Sequence, residues 1–290
     1  MAEQQKNPLS SFMRRPKMFL KLPSGGKFWP EGSLEFPENG ELPVYGLTAK
    51  DELLIRTPDA LFNGRTTVDV IQSCVPNIKN AWAIPSIDLD AILIAIRIAT
   101  YGEKMTMSVN IPGFQEAEPY EIDLRPILDK IIENTLWDES VTISGDMTVY
   151  IAPVSYKVMT DYNLLSFDSN RILATLIRET EITEEQRVNL TAQAMNTIAD
   201  ATLMQMINGI YKIETVEGNT TNPEHIKEFL NNVDKDIFSK ISDAFRKLNN
   251  HNNDRTLTVQ TPPQYVEKGA PAEVTVPFEF DYSSFFDQGF

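Results

Sequence analysis

Residues 88–102, "DLDAILIAIRIATYG", constrain the fold more than any other stretch. Apolar side chains from Leu89 to Tyr101 fall on nearly every side of a helix, which Asp88 is expected to cap and Gly102 to end. A helix without a polar face has to be enclosed by other elements. The segment is too short to cross a bilayer and carries Arg97, so the enclosure is expected to be protein. The rest of the chain must then supply pieces that wrap it.

Those pieces can be read in order. "KMFLKLPSGGKFWPEG", residues 17–32, contains a Gly-Gly-Lys that invites a phosphate-binding reading. A P-loop needs glycine five residues before its final glycine and a hydroxyl after the lysine, and Lys21 and Phe28 stand there instead. Pro23-Ser24-Gly25-Gly26 reads as a turn, with "GELPVYGL" (40–47) as a second extended piece. Thr48 should start a short helix with Asp51 and Glu52 in its first turn, and "TTVDVIQSCV" (66–75) a second, stopped by Pro76. Met107, Val109 and Ile111 alternate, as do Tyr120, Ile122 and Leu124, which predicts a hairpin over 105–124. "VTISGDMTVYIAP" (141–153) has further strand character.

From Ser155 to Asn249 the pattern is mostly helical. Thr183 and Gln186 form a capping box before a long helix with an apolar stripe at Val188, Met195, Ala199, Met206 and Ile210. Asn222-Pro223-Glu224 opens another helix, and residues 236–248 are amphipathic. After a polar linker (249–255), residues 257–280 return to a hairpin in which Val274, Val276, Phe278 and Phe280 alternate. The two hairpins are either a weak internal repeat or two unrelated copies of a common pattern. The expected class is α+β: an N-terminal β-hairpin and short helices, a central helical block, and β-hairpins before and after it. The expected organisation is a basic extended arm (1–27), an α+β domain (28–124), a mainly helical domain (125–255), and a C-terminal hairpin with an aromatic tail (256–290).

Charge and chemistry narrow the function. The chain of 290 residues carries a net charge of −15, against a sequence-independent nucleic-acid binder. The first 30 residues hold six basic groups and one acid, a local excess that precedes an acidic body. That arm, with Arg14, Arg15 and Lys17, is expected to meet an acidic surface of its own body or of a neighbour. Cys74 is the only cysteine, on an apolar helix, and reads as a packing thiol in a reducing compartment. The start lacks a signal-peptide pattern, so an intracellular protein without a membrane segment is expected. His225 and His251 match no metal motif, and no nucleophile or dinucleotide motif occurs, so neither metal nor cofactor is expected. Acidic pairs such as Asp88/Asp90 and Glu184/Glu185 belong more naturally to helix starts and solvated faces than to catalysis. The ending "FDYSSFFDQGF" concentrates aromatics where termini are usually polar, so Phe285 and Phe286 are expected to dock, on the body or on a partner.

Four segments in order, "FLKLPSGGKFWPEG", "VYGLTAKDELLIRTPDALFNG", "SCVPNIKNAW" and "LDAILIAIRIATYGEKM", resemble the T4-like bacteriophage baseplate hub assembly proteins. The resemblance covers roughly the first 125 residues and extends more loosely to the helical half and the "FDYSSFF" ending. It implies that the Gly-Gly-Lys turn is structural. It also implies that Ile111-Pro112-Gly113-Phe114 and Thr261-Pro262-Pro263-Gln264 occupy the places of zinc-ribbon-like C-P-x-C knuckles whose thiolates are absent. The implied role is non-enzymatic: building the central hub of a contractile tail's baseplate, as assembly factor or as subunit, through other tail proteins and through self-association. The alternatives are a tail-associated cell-wall hydrolase and a tail scaffold that touches DNA through the basic arm.

Overall fold

Helix α3 (Ser86–Tyr101) lies where its sequence requires, with twelve of its sixteen residues buried. The computed structural model of the protein describes residue 9 and residues 12–56, 64–114, 117–134, 137–178, 182–249 and 256–277. Packed around α3 are β1 (Met18–Leu20), β2 (Leu42–Val44), α1 (Ala49–Ile55), α2 (Arg65–Cys74) and α4 (Arg125–Glu133). Strands β1 and β2 pair antiparallel, Met18 opposite Val44, and bury Leu20, Leu42 and Val44 completely. Thr48 and Asp51 close the expected capping box of α1.

One expectation about α3 is corrected. The helix begins at Ser86, not after Asp88, with Pro85 at the cap position and no side-chain cap. Proline's fixed φ suits that place, and an isolated antiparallel bridge between Pro85 and Ser155 ties the helix start to the segment that leads into the helix beginning at Tyr156. Ser86 N–H donates to Val154 O (2.8 Å) and Tyr156 N–H to Ile84 O (2.7 Å). Asp88 falls in the first turn, and its carboxylate is used elsewhere.

The predicted hairpin is present as β3 (Lys104–Asn110) and β4 (Ala117–Asp123), with Val109, Ile111, Ile122 and Leu124 buried. A second core forms under β5 (Ser140–Ser144), β6 (Met147–Ile151), β7 (Ile210–Thr215) and β8 (Gly218–Thr220), a four-stranded antiparallel sheet in that order. The sequence pattern missed β7 and β8, because Ile210 reads as the last residue of a helical stripe. The long helices α5 (Tyr156–Arg178) and α6 (Glu184–Gly209) pack as a hairpin, and α6 opens on the predicted Thr183/Gln186 capping box. Gly209 ends α6 against α8 (Lys235–Asn249), so close that a Cβ there would collide with the Phe245 ring. Helix α7 (Pro223–Asn232), capped by Asn222, adds Ile226 and Leu230 to the same core. The described residues close with β9 (Thr256–Gln260), a short α9 (Pro263–Val266) and β10 (Glu273–Pro277), Val274 opposite Val259. The class is α+β, as expected.

Candidate functional site

The Gly-Gly-Lys turn stands at the junction of the two cores. Gly25 (φ 62°) and Gly26 (φ 85°) take the left-handed conformation, and so does Phe28 (φ 69°), which few non-glycine residues adopt. This path brings Ser24 to the first turn of α3. Ser24 N–H donates to Asp88 Oδ1 (2.8 Å), its hydroxyl to Oδ2 (2.5 Å), and Trp29 Nε1–H also to Oδ2 (2.8 Å). The carboxylate thus occupies the place a bound anion would take beside Ser24, which removes the phosphate-cradle reading. Asp88 is fully buried. Burial pushes its carboxyl from 3.8 up to about 6, although the Ser24 and Trp29 hydrogen bonds pull the other way.

The far side of the turn faces the second core. Lys27 pairs with Glu139, and the Phe28 ring lies 6.3 Å from that of Trp137. An open cleft of about 480 Å³ runs beside it between Phe28, Pro85, Pro153 and Tyr211. Glu139 is the single carboxylate in its described lining, already engaged by Lys27. A second cleft, about 380 Å³, lies between β5 and α8. It has Asp138 and Asp243 in its wall, and Asp243 is held by Arg246 of its own helix.

The arm residues separate. Arg14 donates to Gly46 O (2.8 Å) and to Ser73 O (2.5 Å) in the last turn of α2, lies 3.8 Å from Asp51, and covers the Tyr45 ring. A guanidinium at a helix C-terminus meets unsatisfied carbonyls and the negative end of the dipole. Lys21 also lies against an acid of the body, Glu41, at 3.8 Å. Arg15 and Lys17 are exposed, beside the exposed apolar side chains of Phe12, Met13 and Phe19. Phe285, Phe286 and His251 lie outside the described residues.

The two hairpins meet at their tips. Phe114 and Tyr265 make an edge-on ring contact at 4.8 Å, and the Tyr265 hydroxyl donates to Glu118. Ile111 is buried and its carbonyl accepts from Phe114 N–H (3.1 Å), so the turn that resembles a zinc knuckle is closed by backbone and apolar packing. Among the described residues no group of three or more His, Cys, Asp and Glu side chains could hold a metal ion. Cys74 is buried, and desolvation, then Asp51, pushes its thiol up to about 12, an inert packing group.

Sequence reading missed how the α6 stripe divides. Met206 and Ile210 are buried in the second core, whereas Val188 and Met195 are 58% and 53% exposed. Charge was the available signal: from Val188 to Tyr211, Asp200 is the only charged residue.

Residues 16–261 match the family described as T4 bacteriophage base plate protein. The chain belongs to that family. No curated protein and no solved structure matches it. As a T4 base plate family protein it has a structural or assembly role in a phage tail baseplate, and its partners are other tail proteins. The matched stretch contains both cores and Lys17, and leaves out Arg14, Arg15, Phe285 and Phe286.

Proposed function

We propose that this protein acts in assembly of the baseplate's central hub, as an assembly factor or a hub subunit, without catalysis of its own. The observation that carries the reading is the family match across 16–261, which spans both cores rather than one borrowed module. The fold supports it. The Gly-Gly-Lys turn, the feature closest to a nucleotide motif, is consumed in joining the cores, and Cys74 is inert. Contact with tail proteins is assigned to the exposed basic and apolar side of the arm (Arg15, Lys17, Phe12 and Phe19) and to Phe285 and Phe286 of the tail. The protein works in the host cytoplasm during assembly and, as a subunit, stays in the virion tail.

The test is infection with phage that lack the gene, complemented from a plasmid. Loss should stall tails before a complete hub forms, leaving peripheral baseplate intermediates. Complete, hub-bearing baseplates without the protein would overturn the reading. Mass spectrometry of purified virions beside infected-cell extract then separates subunit from factor. Arg15→Ser with Lys17→Ser should weaken complementation, and a deletion of residues 283–290 should abolish it.

A further inference from the structure

The sheet of the second core ends in an edge that the described residues leave open. Its order is β5-β6-β7-β8, so β5 pairs on one side only. Ile151 N–H donates to Glu139 O (2.8 Å), and the same register sets Val141 opposite Val149. By antiparallel alternation the backbone groups of Glu139 and Val141 point to β6, and those of Ser140 and Thr142 point away from it. Among the described residues nothing hydrogen-bonds to those outward groups, and Lys240 reaches only the carbonyl of Ile143 (3.0 Å). Ser140 and Thr142 both line the cleft of about 380 Å³ beside α8. Trp137, Val141, Ala244 and Leu248 form its apolar wall, and all four belong to the second core or pack against it. An open edge of this kind accepts an extended segment as an added strand. Main-chain hydrogen bonds hold such a segment, and every second side chain enters the wall.

We propose that the protein's own C-terminal segment fills this cleft, with Phe278–Tyr282 laid along Ser140–Thr142 as a fifth strand. Three observations favour that occupant. Phe278, Phe280 and Tyr282 alternate with Glu279, Asp281 and Ser283, which suits an edge with an apolar wall on one face and the exposed Ser140 and Thr142 on the other. The same strand pattern has a poor partner where it begins. β10 pairs with β9 as far as Pro277 opposite Thr256, and the next residues in that register, 251–255, are His-Asn-Asn-Asp-Arg, short of strand formers. The segment also starts a short stretch of chain from the cleft. Only residues 250–255 separate Thr256, the partner of Pro277, from the end of α8 at Asn249, next to Leu248 of the wall. A segment tethered so closely acts at an effective concentration on the order of millimolar, above that of a second copy or a free partner. Phe285 and Phe286 then follow the docked strand, which fixes where those proposed contacts emerge. The proposal goes beyond the hub reading and fails or stands separately from it, because the purified chain alone tests it.

The experiment is amide hydrogen exchange, read by NMR on the purified full-length chain. The Ser140 and Thr142 amides should exchange at least about tenfold more slowly than in an unstructured chain. Phe278→Ser with Phe280→Ser and Tyr282→Ser should remove that protection, whereas the Val141 amide, which faces β6, stays protected in both. A benzophenone amino acid in place of Phe280 should crosslink within one chain to residues 137–142 or 244–248. Unprotected Ser140 and Thr142 amides in the wild type, or protection that survives the triple change, overturns the proposal. So do crosslinks to 251–255, which would make the segment a continuation of β10, and crosslinks between chains, which would give the cleft to a second copy. If the triple variant fails to fold, Thr142→Pro decides. It removes an outward N–H, leaves the β5–β6 bonds in place, and should cut the crosslink yield at least about tenfold. An unchanged yield overturns the proposal.

Discussion

Helix α3 and helix α6 are both rich in apolar residues, yet twelve of sixteen residues are buried in the first and only Ala194, Ala201, Met206 and Gly209 in the second. The difference follows from how the apolar residues are distributed. Those of α3 leave no side that water could solvate without cost, so short elements close on it from all directions. Those of α6 form stripes, and a stripe is satisfied only where something meets it. Among the described residues that happens beside α5 and at the last turns, where Met206 enters the second core. Burial alone locates α3, whereas α6 reaches beyond what the described residues cover.

That contrast can be broken most directly by truncation. Leu93→Ala, inside α3, should lower the free energy of unfolding by about 2–5 kcal/mol. Met195→Ala on α6, measured in dilute protein, should change it by less than about 0.5 kcal/mol. Urea denaturation of both variants decides, and equal costs would mean that α6 is covered within a single chain.

The polar latch on α3 adds a pH test. Asp88 rises from 3.8 to about 6 on folding, so the folded chain holds its proton more tightly than the unfolded chain. Its contribution to stability is fully present below about pH 4 and is lost as pH rises through about 6. Between pH 4 and 7 the wild type should therefore lose on the order of 2–3 kcal/mol relative to Asp88→Asn. Urea denaturation at several pH values reads this difference, and a constant difference would detach the titration from Asp88.

At the end of α6, Gly209→Ala should cost about 1–3 kcal/mol, because a methyl group has to displace the Phe245 ring. Thermal unfolding should show the loss, and a neutral result would mean that α8 shifts freely. The smallest effect belongs to the strut between the cores. Lys27 and Glu139 form a partly exposed pair, so a double-mutant cycle with alanine should give no more than about 1 kcal/mol, falling with salt.

How much of this was legible depended on the range of the interaction. The caps at Thr48, Thr183 and Asn222 act within three residues and can be read directly. So can the alternation of the β3–β4 hairpin and the enclosure of α3. Asp88 looked like a cap because its neighbours in sequence are helical, but its partners are Ser24 and Trp29, on a turn about 60 residues earlier. Arg14 looked like one more charge of a basic arm, and only the fold brings it to the end of α2. In α6 the pattern showed the stripe but not where its cover stops, since that depends on the length of α8 and on the β7–β8 pair.

The meeting of the two hairpins has a consequence for how the chain is made. Tyr265 touches Glu118 across 147 positions of sequence, whereas the first core has its last buried member at Tyr156. At 5–20 residues per second, a ribosome delivers Tyr265 on the order of 5–20 s after that core is complete. Throughout that interval the Phe114 ring, at the tip of the β3–β4 hairpin, lacks the aromatic partner that will face it. A chain that stops before β9 keeps it bare, and so carries at its surface the mark of an unfinished product.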